Sequence, residues 1–227
     1  MLENSSIDGF IMALSTETQM KGDYNHLKEV TEQGIPLVLF DRVTNEINCD
    51  KVIINDREAA YAAVKKLIGN KRKKIALVTT KNYFNVSRER AEGYRQALRD
   101  HNVPIDENLI LELSDMEIDE VAIEAFFKAQ EIDAVLCVNE IFPIHCMKLV
   151  QQKGLKVPED IAVIGFTDGL LSKYATPTLT SIDQRGEEMG EIAARMLIEK
   201  VESEDEEETY TTEILEAILI ERESTIN

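Results

Sequence analysis

Basic charge is in short supply in this sequence: 25 lysines and arginines stand against 43 aspartates and glutamates, a formal net charge of -18 at pH 7. A field of that sign repels phosphate backbones, so these residues by themselves make a poor nucleic-acid surface. Cysteine is scarce as well. Cys49, Cys137 and Cys146 form no CxxC pair, and an odd number leaves one thiol over in any disulfide scheme, which suits a reducing compartment. No run approaches the roughly 20 apolar residues of a membrane span. Met1 to Ser6 has neither the basic flank nor the apolar run of a signal peptide. The expectation is a cytoplasmic chain with no membrane partner. GxGxxG, GxxxxGK[ST] and GxSxG are all missing, so nothing supports a dinucleotide enzyme, a P-loop enzyme or a nucleophile-elbow hydrolase. No catalysis, cofactor or metal site is expected. His145-Cys146 is suggestive, but it falls inside a helix expected from Ile141 to Lys153, with no second ligand at i+4, and His26 and His101 are solitary.

What the sequence does contain is a series of apolar runs of strand length: Gly9 to Leu14, Pro36 to Phe40, Ile75 to Thr79, Ala134 to Val138 and Ile161 to Phe166. Near-continuous apolar strands belong to sheets covered on both faces. Between them the apolar residues recur at helical spacing, as in Ala91, Tyr94 and Leu98, or Met189, Ile192, Ala193, Met196 and Leu197. Alternation of this kind predicts an α/β fold with parallel, doubly wound sheets. Gly34-Ile35-Pro36 and Gly154 followed by Pro158 punctuate helix ends. The acidic run Glu202 to Glu208 reads as a solvated loop. Lys71-Arg72-Lys73-Lys74 reads as a basic loop closing one helix and entering the next strand.

Ligands of open parallel sheets sit at the carboxyl ends of the strands. Those positions carry hydrogen-bonding residues here: Asp41-Arg42, Asn139-Glu140 and Thr167-Asp168.

The segment Ser87-Arg88-Glu89-Arg90-Ala91-Glu92-Gly93-Tyr94 resembles the (S/A)-R-x-R-x-x-G-(Y/F/W) signature of the LacI family of bacterial transcription regulators. Asp133 to Glu140, Gly154 to Phe166, Pro177 to Gln184 and Arg222-Glu223-Ser224-Thr225 follow in the family's order. Asp8 to Ile11 and Gly34 to Arg42 extend the resemblance upstream over nearly the whole chain. It implies a periplasmic-binding-protein type I-like fold, two lobes with a ligand cleft between them. Residues 1–54 plus 183–208 would form the N-terminal lobe and 55–182 plus 209–227 the C-terminal lobe. Family members begin with a helix-turn-helix headpiece, a hinge and one or two further β/α units, so the first lobe is expected to be truncated at its N-terminus and to show an open sheet edge.

The same resemblance implies an effector-binding and dimerisation core that would meet operator DNA only through a headpiece outside these residues. A solute-binding protein of a sugar transport system is the alternative. By resemblance Arg90 is the effector-contacting arginine, Asp41 and Asn139 match effector-bonding positions, and Gln184 lies near the pocket; Arg88, Thr167 and Asp168 complete the expected set. Family members often carry paired aspartates where this chain has Thr167-Asp168, and Ala13 replaces a polar residue of some sugar binders. One expectation is an anionic effector, a sugar acid or sugar phosphate, held by Arg88 and Arg90. The other is a sugar hydroxyl bonded by Thr167. Ile144, Met147 and Val150, or Tyr61 and Val64, could serve as homodimer contacts or as core.

Overall fold

The computed structural model describes residues 7–81, 84–114, 117–203 and 209–226. In chain order the elements are β1 (Phe10–Met12), α1 (Thr16–Lys21), α2 (Asn25–Glu32), β2 (Leu37–Phe40), β3 (Asp50–Ile54), α3 (Asp56–Gly69), β4 (Ile75–Thr80), α4 (Asn85–Asp100), β5 (Ile110–Leu113) and α5 (Glu120–Ala129). They continue with β6 (Ala134–Cys137), α6 (Ile141–Gln152), β7 (Ala162–Thr167), α7 (Leu170–Tyr174), β8 (Thr180–Asp183), α8 (Gly186–Glu202), β9 (Thr212–Leu215) and β10 (Ile218–Ile220). Met1 to Ser6 and most of the acidic run lie outside the described residues.

The chain divides into two compact units, one of residues 1–55, 83–86 and 185–216, the other of 56–82, 87–184 and 217–227. In the first, β1, β2, β3 and β9 form a parallel sheet in that order. Leu14, Leu27, Leu37, Leu39, Ile47 and Cys49 form a core beside it. Met189, Ala193 and Met196 are buried at the four- and three-residue spacing of one helical face, and α8 packs on β1, β2 and β3. Helix α1 is set by local chemistry. Ser15 Oγ accepts the Thr18 N–H, and Gly22 closes the helix in the left-handed region at φ 61°.

The lobe boundary differs from the sequence expectation. The sequence keeps residues 209–227 in one lobe, but β9 joins the first unit beside β3, with Asp50 Oδ1 accepting the Thr211 N–H at 2.7 Å, whereas β10 joins the second. Residues 183–184 fall in the second unit and 83–86 in the first. No glycine or proline marks the step between Glu216 and Ala217, so the sequence reads there as one continuous strand.

The second unit holds a sheet of order β10-β8-β7-β6-β4-β5, parallel except for β10, which runs antiparallel along β8. Strands β4 and β6 are buried at every residue, as a sheet covered on both faces requires. Val64, Met147 and Val150 are buried within this core, and Tyr61 and Ile144 pack partly exposed against it. The first three are therefore core rather than subunit contacts. Arg72 of the basic loop donates to the carbonyls of Pro158 and Glu159, which ties that loop to the turn ahead of β7.

The tail Arg222-Glu223-Ser224-Thr225 staples β7 and β8. Ser224 Oγ donates to the Val163 carbonyl at 2.6 Å and accepts the Thr180 N–H at 2.8 Å. The hydroxyls of Thr225 and Thr180 meet at 2.7 Å, and Glu223 accepts the backbone and side-chain donors of Thr178. Those two bonds hold the Glu223 carboxyl below its usual pKa.

Helix α4 approaches α3 closely at Gly93. A methyl there would collide with the Arg57 carbonyl oxygen and stand 2.9 Å from Ala60 Cβ. Replacing a mid-helix glycine by alanine gains about 1 kcal/mol of helix propensity. Overpacking against an immovable backbone atom costs about 1–3 kcal/mol, so the steric term should win. Gly93→Ala should lower the urea midpoint at unchanged m-value; an equal or higher midpoint would contradict the close approach.

Candidate functional site

The carboxyl ends of β6, β7 and β8 and the first turns of α4 meet at one edge of the second unit. Arg90 lies there, 3 % exposed. An arginine cannot lose its charge inside a protein, so burial demands a counter-charge and bonded donors. Asp56, the buried first residue of α3, supplies the charge and accepts from Arg90 Nε at 2.6 Å. The Val138 carbonyl at the end of β6 accepts from Nη1 at 2.6 Å, and the guanidinium carbon sits 4.0 Å over the Phe166 ring. Arg90 Nη2 is buried with no partner among the described residues.

Backbone geometry marks the same rim. Thr167 and Asp168, at the end of β7, have φ of 100° and 54°; in the first unit, Asp41 after β2 and Arg185 ahead of α8 have 55° and 53°. Non-glycine residues rarely hold positive φ, a β-branched one least of all, and such strain concentrates at functional positions.

Thr167 is exposed and its hydroxyl donates to Gln184 Oε1 at 3.0 Å, which joins the ends of β7 and β8. Asn139 is half-buried; its Oδ1 accepts the Phe142 N–H at 2.8 Å, securing the start of α6. Asp168 forms a two-bond ion pair with Arg222, whose Nη2 lies 3.1 Å from Oδ2, and Lys173 stands 4.0 Å away. Arg88 is exposed and its guanidinium is 3.5 Å from Glu89. Residues two apart on a helix point to different faces, so Arg88 and Arg90 do not share one environment. Asp41 belongs to the first unit, one-third exposed, with the Arg42 guanidinium 3.9 Å away.

Three members of this constellation escaped the sequence reading: Asp56 and Phe166, which hold Arg90, and Arg222, which holds Asp168. Asp56 lies two residues past the end of β3, and the strand-end rule applied to that strand would have flagged it.

Among the described residues, no group of three histidine, cysteine or acidic side chains could hold a metal ion. The three cysteines are buried and free; burial pushes the Cys49 thiol up to about 11 and the Cys137 thiol well above its ordinary range. His145 is buried, with its imidazole pKa lowered by that burial against the opposing pull of Glu120 at 3.6 Å.

The pairing of Arg90 has a measurable consequence. Asp56→Asn keeps the shape and removes the charge, leaving a buried guanidinium uncompensated at a cost of about 3–5 kcal/mol. Chemical denaturation should register that loss; a change below about 1 kcal/mol would mean that Arg90 is solvated rather than paired.

Residues 64–225 match the model of a periplasmic binding protein-like domain. The HTH-type transcriptional repressor PurR of Vibrio atlanticus is 32% identical over 212 residues, covering 91% of this chain and 61% of that protein. The ribose operon repressor of Haemophilus influenzae is 30% identical, covering 84% and 58%. The chain thus spans about three-fifths of these curated relatives. Among solved structures, a transcriptional regulator CelR–cellobiose complex superposes with TM-score 0.83 at 26% identity, over 98% of this chain and 67% of that one. A LacI family transcriptional regulator from Enterococcus faecium with bound ribose gives 0.84 at 25%, over 98% and 81%. The chain belongs to the periplasmic-binding-protein-like domain family, in the form that LacI-type regulators carry.

Proposed function

We propose that this chain is the effector-binding and dimerisation core of a LacI-type transcription regulator, and that its effector is a neutral, hydroxyl-rich molecule of the sugar class. The observation that carries the reading is the buried Arg90, oriented by Asp56, Val138 and Phe166 beside the strand-end residues Asn139, Thr167 and Gln184. A guanidinium held in one orientation offers its remaining donor to a ligand at little further entropic cost. The two solved regulators with bound cellobiose and ribose support the sugar class, and the named repressors favour regulation over transport.

Charge favours the neutral effector over the anionic one. Asp56 cancels the charge of Arg90, Arg222 cancels that of Asp168, and Arg88 stands exposed beside Glu89. Arg90, Arg222 and Arg88 thus each stand beside a carboxylate, whereas Thr167 and Gln184 suit hydroxyls.

In this reading effector binding selects one conformation of the core. In a homodimer that selection changes the spacing of attached headpieces and hence operator affinity. Val121, Leu170 and Tyr174, all exposed on the second unit, offer apolar surface for a second copy. No helix among the described residues is long and apolar enough to cross a membrane; the named repressor relatives favour a regulator that acts in the cytoplasm.

Calorimetric titration with D-glucose, D-ribose and cellobiose, set against D-glucuronate, glucose 6-phosphate and ribose 5-phosphate, tests the effector class. A neutral sugar should bind at least about tenfold more tightly than its charged counterpart, roughly 1.4 kcal/mol. Tight binding confined to the anions would overturn the neutral reading.

A further inference from the structure

Outside the Arg90 constellation, one pair of polar side chains in the first unit is left incomplete. Gln19 of α1 is 5 % exposed, and its Nε2 has no partner among the described residues. Asn85, the first residue of α4, has its Oδ1 out of solvent contact and likewise without a partner. The two side chains are neighbours: the Asn85 backbone N–H donates to Gln19 Oε1 at 3.5 Å, and Asn85 Nδ2 donates to the Asp41 carbonyl at 3.4 Å.

These weak bonds fix which atom is which. A backbone N–H can only donate, so the Gln19 atom facing it is the oxygen; a carbonyl can only accept, so the Asn85 atom facing it is the nitrogen. One donor, Gln19 Nε2, and one acceptor, Asn85 Oδ1, are thereby left unused on these two neighbouring residues. Burial without bonds is a cost that folded proteins seldom tolerate, and its location next to Asp41, itself in the left-handed region, points to a ligand.

We propose that Gln19 and Asn85 form a hydroxyl-reading subsite that sets which sugar the first unit accepts. A hydroxyl can accept and donate through one oxygen: it takes the Gln19 Nε2 proton on a lone pair and gives its own proton to Asn85 Oδ1. A methylene in its place leaves both amides unsatisfied, so the pair discriminates against a deoxy position more strongly than an apolar wall rewards it. Asp41, one-third exposed, holds Asn85 in position through its backbone carbonyl, leaving its carboxylate for other bonds. The subsite rests on the sugar-effector reading and sharpens it.

The test uses the whole chain with D-ribose, D-glucose and cellobiose as probes. Side-chain amide resonances of Gln19 and Asn85 in the wild type, followed by 1H–15N NMR, should shift at saturation with the sugar that binds. Gln19→Met, near in volume but without polar atoms, should melt at or above the wild-type temperature and bind that sugar at least tenfold more weakly. The singly deoxygenated sugar that wild type rejects should bind wild type and Gln19→Met within about twofold of each other. If a sugar binds while both amide resonances stay put and Gln19→Met keeps its affinity, the orphan atoms hold only water; the subsite is overturned and the effector reading stands. If none of the three sugars binds at millimolar concentration, the sugar-effector reading falls and the subsite falls with it.

Discussion

A single buried charge organises the second unit. Arg90 cannot be neutralised, so the fold must bring it a carboxylate from 34 residues upstream, a carbonyl from the end of β6 and an aromatic face from β7. Those demands fix the pitch of α4 against the sheet, and Gly93, one helical turn on, lets α4 settle directly onto the Arg57 carbonyl. Tyr94 adds a second tie by donating its hydroxyl to the Ile75 carbonyl at 2.8 Å, and burial raises its phenol pKa. Arginine, glycine and tyrosine of one short motif therefore serve a common purpose, which is to hold the start of α4 at the carboxyl edge of the sheet.

The C-terminal tail does the equivalent work for β7 and β8. Arg222 neutralises Asp168 and also donates to the Leu179 carbonyl, while Ser224 and Thr225 bond across to Val163 and Thr180. The strained residues Thr167 and Asp168 are thus flanked by a dense set of hydrogen bonds, which is what a backbone outside its preferred conformation requires. Ion pairing on this rim holds the side chains of Asp168 and Arg222 in one orientation.

Much of this was legible in the sequence. Strands β2, β4, β6 and β7 announced themselves as unbroken apolar runs, and the period of Ala91, Tyr94 and Leu98 gave α4. Arg90 was visible because its motif is contiguous. Its partner was not, because Asp56 is distant in sequence and a carboxylate at a helix start looks like an ordinary favourable end charge. Gln19 was hidden for a similar reason: a glutamine in a six-residue helix resembles solvent-facing filler until the packing buries it. The division of the tail between β9 and β10 was illegible because Thr212 to Ile220 carries no breaker, and only strand pairing decides where each half goes.

The paired guanidinium of Arg90 orders the start of α4, and in the proposed function it also meets the ligand. Removing both charges together separates those roles, since a buried ion pair replaced by well-packed hydrophobic residues of similar volume is often near neutral for stability. Calorimetry and thermal melting of the Asp56→Leu, Arg90→Met double variant with D-glucose, D-ribose and cellobiose measure both. The account predicts a melting temperature close to wild type with sugar affinity lowered by at least about tenfold. A double variant that binds sugar as tightly as wild type would contradict it.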